Sequence, residues 1–128
     1  MLTAMAEEEL ATKAHLGRLA SATHVGEEGL RGNGPYFYVY LLVEGDRIQT
    51  ARFESNGCQA SFAVGGVLCR LVEGRNVTAA LSLEPRDLAT LVGELAPGKA
   101  DVPTRALRAL ALAMKGPEDS SSNFINPS

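Results

Sequence analysis

The chain has 128 residues and a net charge of −3, with 45% apolar and 21% charged residues. This length and composition are typical of one globular domain that buries its own core. The mild acidity and the lack of an apolar run of roughly 18 residues argue against nucleic-acid and membrane partners.

The first third of the chain is predicted to contain one helix followed by a loop. Apolar side chains recur at three- and four-residue steps from Leu2 to Ala14, which predicts a helix over residues 3–20. Residues 21–35, SATHVGEEGLRGNGP, are rich in glycine and small polar residues. That composition predicts a loop, in which RGNGP is a turn rather than a phosphate-binding segment.

Two strands joined by a tight turn are predicted next. Residues 36–43, YFYVYLLV, are aromatic or aliphatic throughout, as in a strand that is covered on both faces. Gly45 and Asp46 then form a two-residue hairpin turn. Residues 48–55 alternate between apolar and polar side chains, which predicts an antiparallel partner strand with one face exposed to water.

The rest of the domain is predicted to be helical. The predicted helices run from Gly57 to Gly74, over 77–81 behind an Asn76 cap, over 84–95, and from an Asp101 cap to residue 115. A hairpin followed by several helices predicts an α+β fold, a small antiparallel sheet with helices packed on one face. Residues 1–116 form this single domain, and the polar residues 117–128 are predicted to be disordered.

The two cysteines lie in different predicted settings. Cys58, in FESNGCQAS, lies between a strand end and a helix, where the helix dipole and backbone N–H groups favour thiolate. Thiolate is the form that attacks sulfur or binds metal, although a free cysteine is also commonly a buried structural residue. Cys69 lies mid-helix, about 16 Å along the axis from Cys58. The two can therefore share neither a metal nor a disulfide, and Cys69 is predicted to be a packing residue.

Other candidates for chemistry are few. His15 and His24 are predicted to be plain surface residues, and no metalloprotease, P-loop or nucleophile-elbow motif is present. The start, MLTAMAEEEL, lacks the basic region of a signal peptide, and two cysteines do not form a disulfide framework. These features predict a reduced, cytoplasmic protein.

From Tyr36 to Lys115 the sequence resembles the iron–sulfur scaffold family of IscU and the N-terminal domain of NifU. The matching segments are LLVEGDRIQTARFESNGCQAS (41–61), LVEGRNVTAALSL (71–83) and LAPGK (95–99), with THVG (23–26) a fainter match to the family's RNVG loop. The resemblance implies the α+β sandwich, a role in iron–sulfur cluster assembly, and iron binding in family members. It also implies a cysteine desulfurase and other assembly proteins as partners, and a homodimer is possible.

The resemblance also implies a ligand set that this chain has largely lost. In the family, three cysteines, an aspartate and a nearby histidine receive sulfide and iron and hold a nascent [2Fe–2S] cluster or a zinc ion. Here Asn33 and Pro35 replace a cysteine and the aspartate, and Asp101-Val102 replaces a histidine–cysteine pair. The chaperone-recognition segment LPPVK has become LAPGK.

The retained candidates are Cys58 and Asp101, with His24 only if its segment folds over. A [2Fe–2S] cluster needs four ligands, mostly thiolate, and zinc needs four donors. We therefore expect no stably bound cofactor, and at most a labile cluster or zinc ion through Cys58.

Two functions of different classes remain open. The first is a degenerate scaffold, not an enzyme, that keeps the fold and accepts sulfur at Cys58. A variant makes Cys58 a persulfide shuttle that acts with a cysteine desulfurase, as in SufE, whose working cysteine also lies in a G-C-Q context. The second is a structural or interaction module in which Cys58 has no remaining chemistry.

Overall fold

A computed structural model describes residues 1–115 as five helices and three strands. In chain order they are α1 (Ala4–Thr12), β1 (His24–Gly29), β2 (Tyr36–Glu44), β3 (Arg47–Ser55), α2 (Gln59–Val72), α3 (Val77–Leu81), α4 (Pro85–Val92) and α5 (Val102–Lys115). The predicted disordered segment 117–128 lies outside the described residues. Within residues 1–115 no helix combines the length and apolarity needed to cross a membrane.

The sheet is antiparallel with strand order β1-β2-β3. The predicted hairpin is confirmed: Glu44 pairs with Arg47, and Gly45 takes the positive φ (64°) that a two-residue turn needs. The α+β fold with a small antiparallel sheet and packed helices is also confirmed. Helices α2 and α5 pack against this sheet, α2 on β3 and α5 on β1 and β2.

The alternation predicted for β3 is confirmed and sets which face is the core. Val39 of β2 pairs with Phe53 of β3, and both are 2% exposed or less. On the opposite face the Tyr40 hydroxyl donates to Glu54, and burial and this hydrogen bond raise the pKa of Tyr40 to about 12. Tyr38 on that face is buried too, so β2 is covered on both sides as predicted.

Strand β1 contradicts the predicted loop over residues 21–35. Its six residues, HVGEEG, include two glycines and two glutamates, which have low intrinsic strand propensity. The strand forms because β2 supplies the hydrogen-bonding partner and α5 packs against it. Tertiary contacts thus override local propensity here.

The first helix is also shorter than predicted. Thr3 caps α1 by accepting from the Ala6 N–H (3.2 Å), but the helix ends at Thr12, and Lys13 adopts a left-handed conformation (φ 51°). The following residues run parallel to the edge of β3. The Phe53 N–H donates to the His15 carbonyl (2.9 Å), and the Gly17 N–H donates to the Phe53 carbonyl (2.7 Å). The sheet edge therefore satisfies backbone groups that a longer helix would have paired internally.

His15 is not the surface residue that we predicted. Its Nδ1 lies 2.8 Å from Glu9 Oε1, its Nε2 lies 3.3 Å from Glu73 Oε1, and its side chain is 14% exposed. Glu73 also accepts the Ala51 N–H (2.9 Å). This buried polar cluster joins α1, the end of α2 and β3, so His15 has a structural role.

The remaining helices largely follow their predicted positions. The Asn76 side chain accepts the Ala79 N–H (2.7 Å) at the start of α3, as predicted. Helix α4 ends at Val92, three residues earlier than predicted, because Gly93 leaves the helical conformation (φ 101°). The Asp101 carbonyl accepts the Arg105 N–H (3.1 Å), which places Asp101 at the start of α5.

Candidate functional site

A strand, a tight turn and a helix position Cys58. Strand β3 ends at Ser55, and the Cys58 N–H donates to the Asn56 carbonyl (2.7 Å) across Gly57. Cys58 is extended (φ −129°, ψ 133°) and occupies the N-cap position of α2, whose first turn closes when the Phe62 N–H donates to the Cys58 carbonyl (3.0 Å). The sulfur therefore lies at the positive end of a 14-residue helix dipole.

The surroundings of Cys58 favour its ionised form. Partial burial by itself raises the pKa of the thiol, but the backbone N–H groups of Ser61 and Ala60 at the start of α2 act in the opposite direction. The Ser61 hydroxyl and the charge of Lys99 add to this effect, and the pKa of Cys58 is lowered below its ordinary value. The neutral thiol makes no capping hydrogen bond, so these donors remain available to a thiolate.

Cys69 has the opposite environment. It is completely buried in the core on α2. Burial, together with the nearby carboxylates of Glu73 and Glu9, raises the pKa of its thiol well above the ordinary value. Both its inaccessibility and its protonation agree with the predicted packing role.

Ser61 belongs to this site although the sequence did not single it out. It is the third residue of α2, one turn beyond Cys58, and it is 5% exposed. A capping box pairs the N-cap residue with the third helical residue, and C-x-x-S at a predicted helix start has that spacing. That spacing could have identified the serine.

Two small cavities meet at Lys99 beside Cys58. The first, of about 250 Å³, is open to solvent and is here called the sulfur cavity. Its lining comprises Leu2, Cys58, Gln59, Ala60, Glu94, Leu95, Ala96 and Lys99. The second, of about 140 Å³, is here called the polar cavity; it is lined by Pro35, Tyr36, Phe37, Asn56, Ser61, Gly98, Lys99, Asp101, Val102 and Arg105. Lys99 is the residue that both cavities share.

The residues at the family's ligand positions reach this region without forming a ligand set. Pro35, Asp101 and Val102 line the polar cavity, whereas Cys58 lines the sulfur cavity. Val102 is 6% exposed and belongs to the hydrophobic core. Among residues 1–115, no three His, Cys, Asp or Glu side chains lie together in a group that could hold a metal ion. The residues present therefore do not fit a four-ligand cluster or a tetrahedral zinc site.

His24 does not lie at this end of the sheet. It pairs with Leu41, whereas Tyr36, which lines the polar cavity, pairs with Gly29. His24 is therefore five residues along β1 from the cavity end, about 17 Å at the usual rise of a strand. Its Nδ1 instead lies 2.8 Å from the Thr23 hydroxyl. His24 therefore does not fold over to supply a metal ligand beside Cys58.

Alkylation should distinguish the two thiols. We expect iodoacetamide at pH 7 to modify one cysteine rapidly, because a lowered pKa and an open cavity give Cys58 the larger accessible thiolate fraction. Cys58→Ser should remove this fast phase, and Cys69→Ala should leave it unchanged. The rate should fall as the pH is lowered, since protonation removes the nucleophile. If the fast phase survives in Cys58→Ser, Cys58 is not the reactive thiol.

Sequence comparisons relate the chain to iron–sulfur assembly proteins. It is 36% identical over 110 residues to the bifunctional protein NifU/MnmA of Rubrobacter xylanophilus, covering 84% of this chain and 22% of that protein. It is 31% identical over 103 residues to the iron–sulfur cluster assembly scaffold protein IscU of Aquifex aeolicus, covering 79% of this chain and 66% of that protein. The chain thus spans less than two thirds of the length of these relatives.

The solved structures agree on the fold. A candidate cluster-assembly scaffold for the SUF system from Fervidobacterium islandicum superposes with a TM-score of 0.67 at 20% identity, covering 88% of this chain and 96% of that one. At such identity the likeness concerns the fold alone. The family model of the NifU-like N-terminal domain matches residues 7–119, which is most of the sequence. The chain therefore belongs to the NifU-like N-terminal domain family, as its resemblance to the IscU and NifU scaffolds implied.

Proposed function

We propose that this protein is a degenerate iron–sulfur assembly scaffold that accepts sulfur at Cys58 and carries no complete cluster. The observation that carries the proposal is the setting of Cys58 at the start of α2, beside an open cavity, with donors that favour thiolate. Sulfur acceptance needs one accessible nucleophilic thiolate and no metal ligand set. The lowered pKa of Cys58 and its open cavity support the first point, and a sulfur acceptor does not need the metal-binding group that residues 1–115 lack.

The proposed step is a transfer of sulfane sulfur between two cysteines. The Cys58 thiolate attacks the terminal sulfur of a persulfide on a cysteine desulfurase and forms a new S–S bond. The bond between that terminal sulfur and the donor cysteine breaks, and its electron pair leaves on the donor thiolate. One persulfide and one thiolate are consumed and one of each is formed, so no external oxidant or reductant is needed.

The sulfur cavity supports this step because a donor segment must approach the Cys58 sulfur. Leu2, Ala60, Leu95 and Ala96 give the cavity apolar walls, and Lys99 supplies a cation at its edge. Beside such apolar walls the attraction between the cation and an anionic sulfur is stronger than in bulk water. The partner is therefore proposed to be a cysteine desulfurase, and other assembly proteins would receive the sulfur from Cys58.

Mass spectrometry after incubation with a cysteine desulfurase, pyridoxal phosphate and cysteine tests the proposal. We expect a mass increase of one or more sulfur atoms, reversed by dithiothreitol and mapped to Cys58. Cys69→Ala should gain the same adduct and Cys58→Ser should gain none. An unmodified protein, under conditions in which an established acceptor is loaded, would support the alternative of an interaction module without sulfur chemistry.

A further inference from the structure

Lys99 is the cation in the site that is free to act on Cys58. Arg105 also lines the polar cavity, but its guanidinium lies 3.2 Å from Glu28 Oε1. Glu94 lines the sulfur cavity, and its carboxylate pairs with the N-terminal amine at 3.0 Å. Within residues 1–115 no carboxylate lies within ion-pair distance of Lys99, although Asp101 lines the same polar cavity. The charge of Lys99 is therefore not neutralised by a direct partner.

Ser61 approaches the same point from inside the protein. It lies one helical turn from Cys58 and lines the polar cavity, and its hydroxyl helps to lower the pKa of the Cys58 thiol. Ser61 is a residue only 5% exposed, and a polar group in such a position usually has a hydrogen-bonding role, because burial without a partner costs free energy. Ser61 and Lys99 thus line the polar cavity together, and Lys99 also lines the sulfur cavity beside Cys58.

A sulfur atom added to Cys58 would need these two groups. The terminal atom of a persulfide lies about 2 Å beyond the cysteine sulfur. A persulfide is a stronger acid than a thiol, so this atom carries negative charge at neutral pH. The backbone N–H groups near the cysteine sulfur are fixed and cannot all contact the terminal sulfur, which lies further out. The long flexible side chain of Lys99 can reach it.

We infer that Lys99 and Ser61 form a binding site for the terminal sulfur of a Cys58 persulfide. Lys99 supplies the charge, and Ser61 donates a hydrogen bond from the buried side. Both are positioning residues, since the bond is formed at Cys58. This inference rests on the proposed function of Cys58 as a sulfur acceptor and adds the groups that retain the sulfur after transfer.

The test uses the full chain with Cys69→Ala and needs no partner protein. Sodium polysulfide loads Cys58, leaving a polysulfide shorter by one sulfur atom, and mass spectrometry then follows the persulfide after the reagent is removed. Lys99→Met keeps the apolar stem and removes the charge, Lys99→Arg keeps the charge, and the exposed Lys115→Met is the matched control. Iodoacetamide rates between pH 6 and 9 (roughly the range of a perturbed cysteine) report the thiolate before loading.

We expect Lys99→Met to lose the persulfide about fivefold faster and to be alkylated about fivefold more slowly at pH 7, the size expected of one partly solvated charge. Lys99→Arg and Lys115→Met should resemble the parent, and Ser61→Ala should show a smaller loss. The charged groups that face Cys58 are Lys99 and Glu94, with Asp101 and Arg105 beyond Lys99. The pH profile should therefore shift upward when Lys99 loses its charge, and also in Ser61→Ala because that hydroxyl helps to lower the pKa of Cys58, but not in Lys99→Arg or Lys115→Met.

Two results would overturn the inference. In the first, Lys99→Met behaves like Lys115→Met in both measurements. In the second, Lys99→Arg is as impaired as Lys99→Met, which would show that the charge of residue 99 does not retain the persulfide. Circular dichroism melting checks that each variant is folded. The loading reagent is polysulfide and not a desulfurase, so the two proposals are tested separately. If Lys99 and Ser61 prove not to retain the persulfide, Cys58 can still accept sulfur from a desulfurase. If a desulfurase does not load Cys58, persulfide loss can still be measured after loading with polysulfide.

Discussion

Replacing Gly26 with alanine is expected to destabilise the protein by about 3 kcal/mol or more, at the upper end of overpacking effects. Strand β1 crosses α5 so closely that a Cβ at Gly26 would lie 2.0 Å from the Ala109 carbonyl oxygen and 2.4 Å from the Ala113 nitrogen. Both neighbours are backbone atoms, so no side-chain rotation relieves the clash. The strand and helix must separate, which disturbs the packing of α5 on the sheet.

Thermal and urea unfolding of Gly26→Ala would measure this effect. A loss of 3 kcal/mol corresponds to a melting temperature lower by more than about 10 °C for a domain of this size. Gly57→Ala is the matched control, because no atom lies within 4 Å of its added Cβ and its φ is outside the left-handed region. Equal stability of the two variants would mean that β1 and α5 are not in this close contact.

The hairpin was predictable from sequence because local and tertiary preferences agree there. Residues 36–43 are aromatic or aliphatic throughout, Gly45 permits the turn, and residues 48–55 alternate. Each signal alone favours the same structure that the core then stabilises. The structure adds a bulge between Leu42 and Val43, which no sequence signal indicated.

Strand β1 and the end of α1 were not predictable because their stability comes from distant residues. The glycines that suggested a loop are consistent with a strand once α5 is known to lie against Gly26, where a side chain would clash. Likewise, the apolar spacing between residues 13 and 20 continues a helical pattern, yet the backbone around His15 pairs with Phe53 of β3. Such contacts depend on residues about 40 positions away for His15 and about 80 for Gly26, and they leave no local pattern.

The candidate site shows the same division. Cys58 could be singled out from its neighbours in sequence, since a strand end followed by a helix places a thiol at the helix N-terminus. Lys99 could not, because it lies 41 residues further along the chain, in a turn that only the packing of α4 and α5 on α2 brings close. The proximity of Cys58 and Lys99 is therefore a property of the fold.

The lost ligand positions have also acquired other structural roles. Val102, where the family has a cysteine, is part of the hydrophobic core at the start of α5. Pro35 precedes β2 and lines the polar cavity, where its side chain has no donor atom for a metal ion. Restoring a ligand at Val102 would therefore place a more polar side chain in a packed position. The departure from the family is spread over the segment before β2 and the start of α5 rather than confined to one residue.

Anaerobic reconstitution with iron and sulfide is expected to leave the isolated monomer without a stable [2Fe–2S] cluster. Asn33 has only an amide, Pro35 has no donor, and Val102 is apolar, so Cys58 is the sole thiolate that the site offers. After desalting we expect far less than one iron and one sulfide per chain and no persistent charge-transfer absorption. A [2Fe–2S] cluster normally has four ligands that are mostly thiolate, and mixed oxygen ligation through Asp101 binds such iron less well.

Size-exclusion chromatography during reconstitution separates the remaining outcomes. Two chains could bring two Cys58 thiolates together, and the two further donors would then come from Asp101 or from an added thiol. Colour that elutes with a dimer and disappears in Cys58→Ser, but not in Cys69→Ala, would indicate such a bridged, labile cluster. Near-stoichiometric iron and sulfide on the monomer would contradict the expectation, because it would require donors that residues 1–115 do not bring together around Cys58.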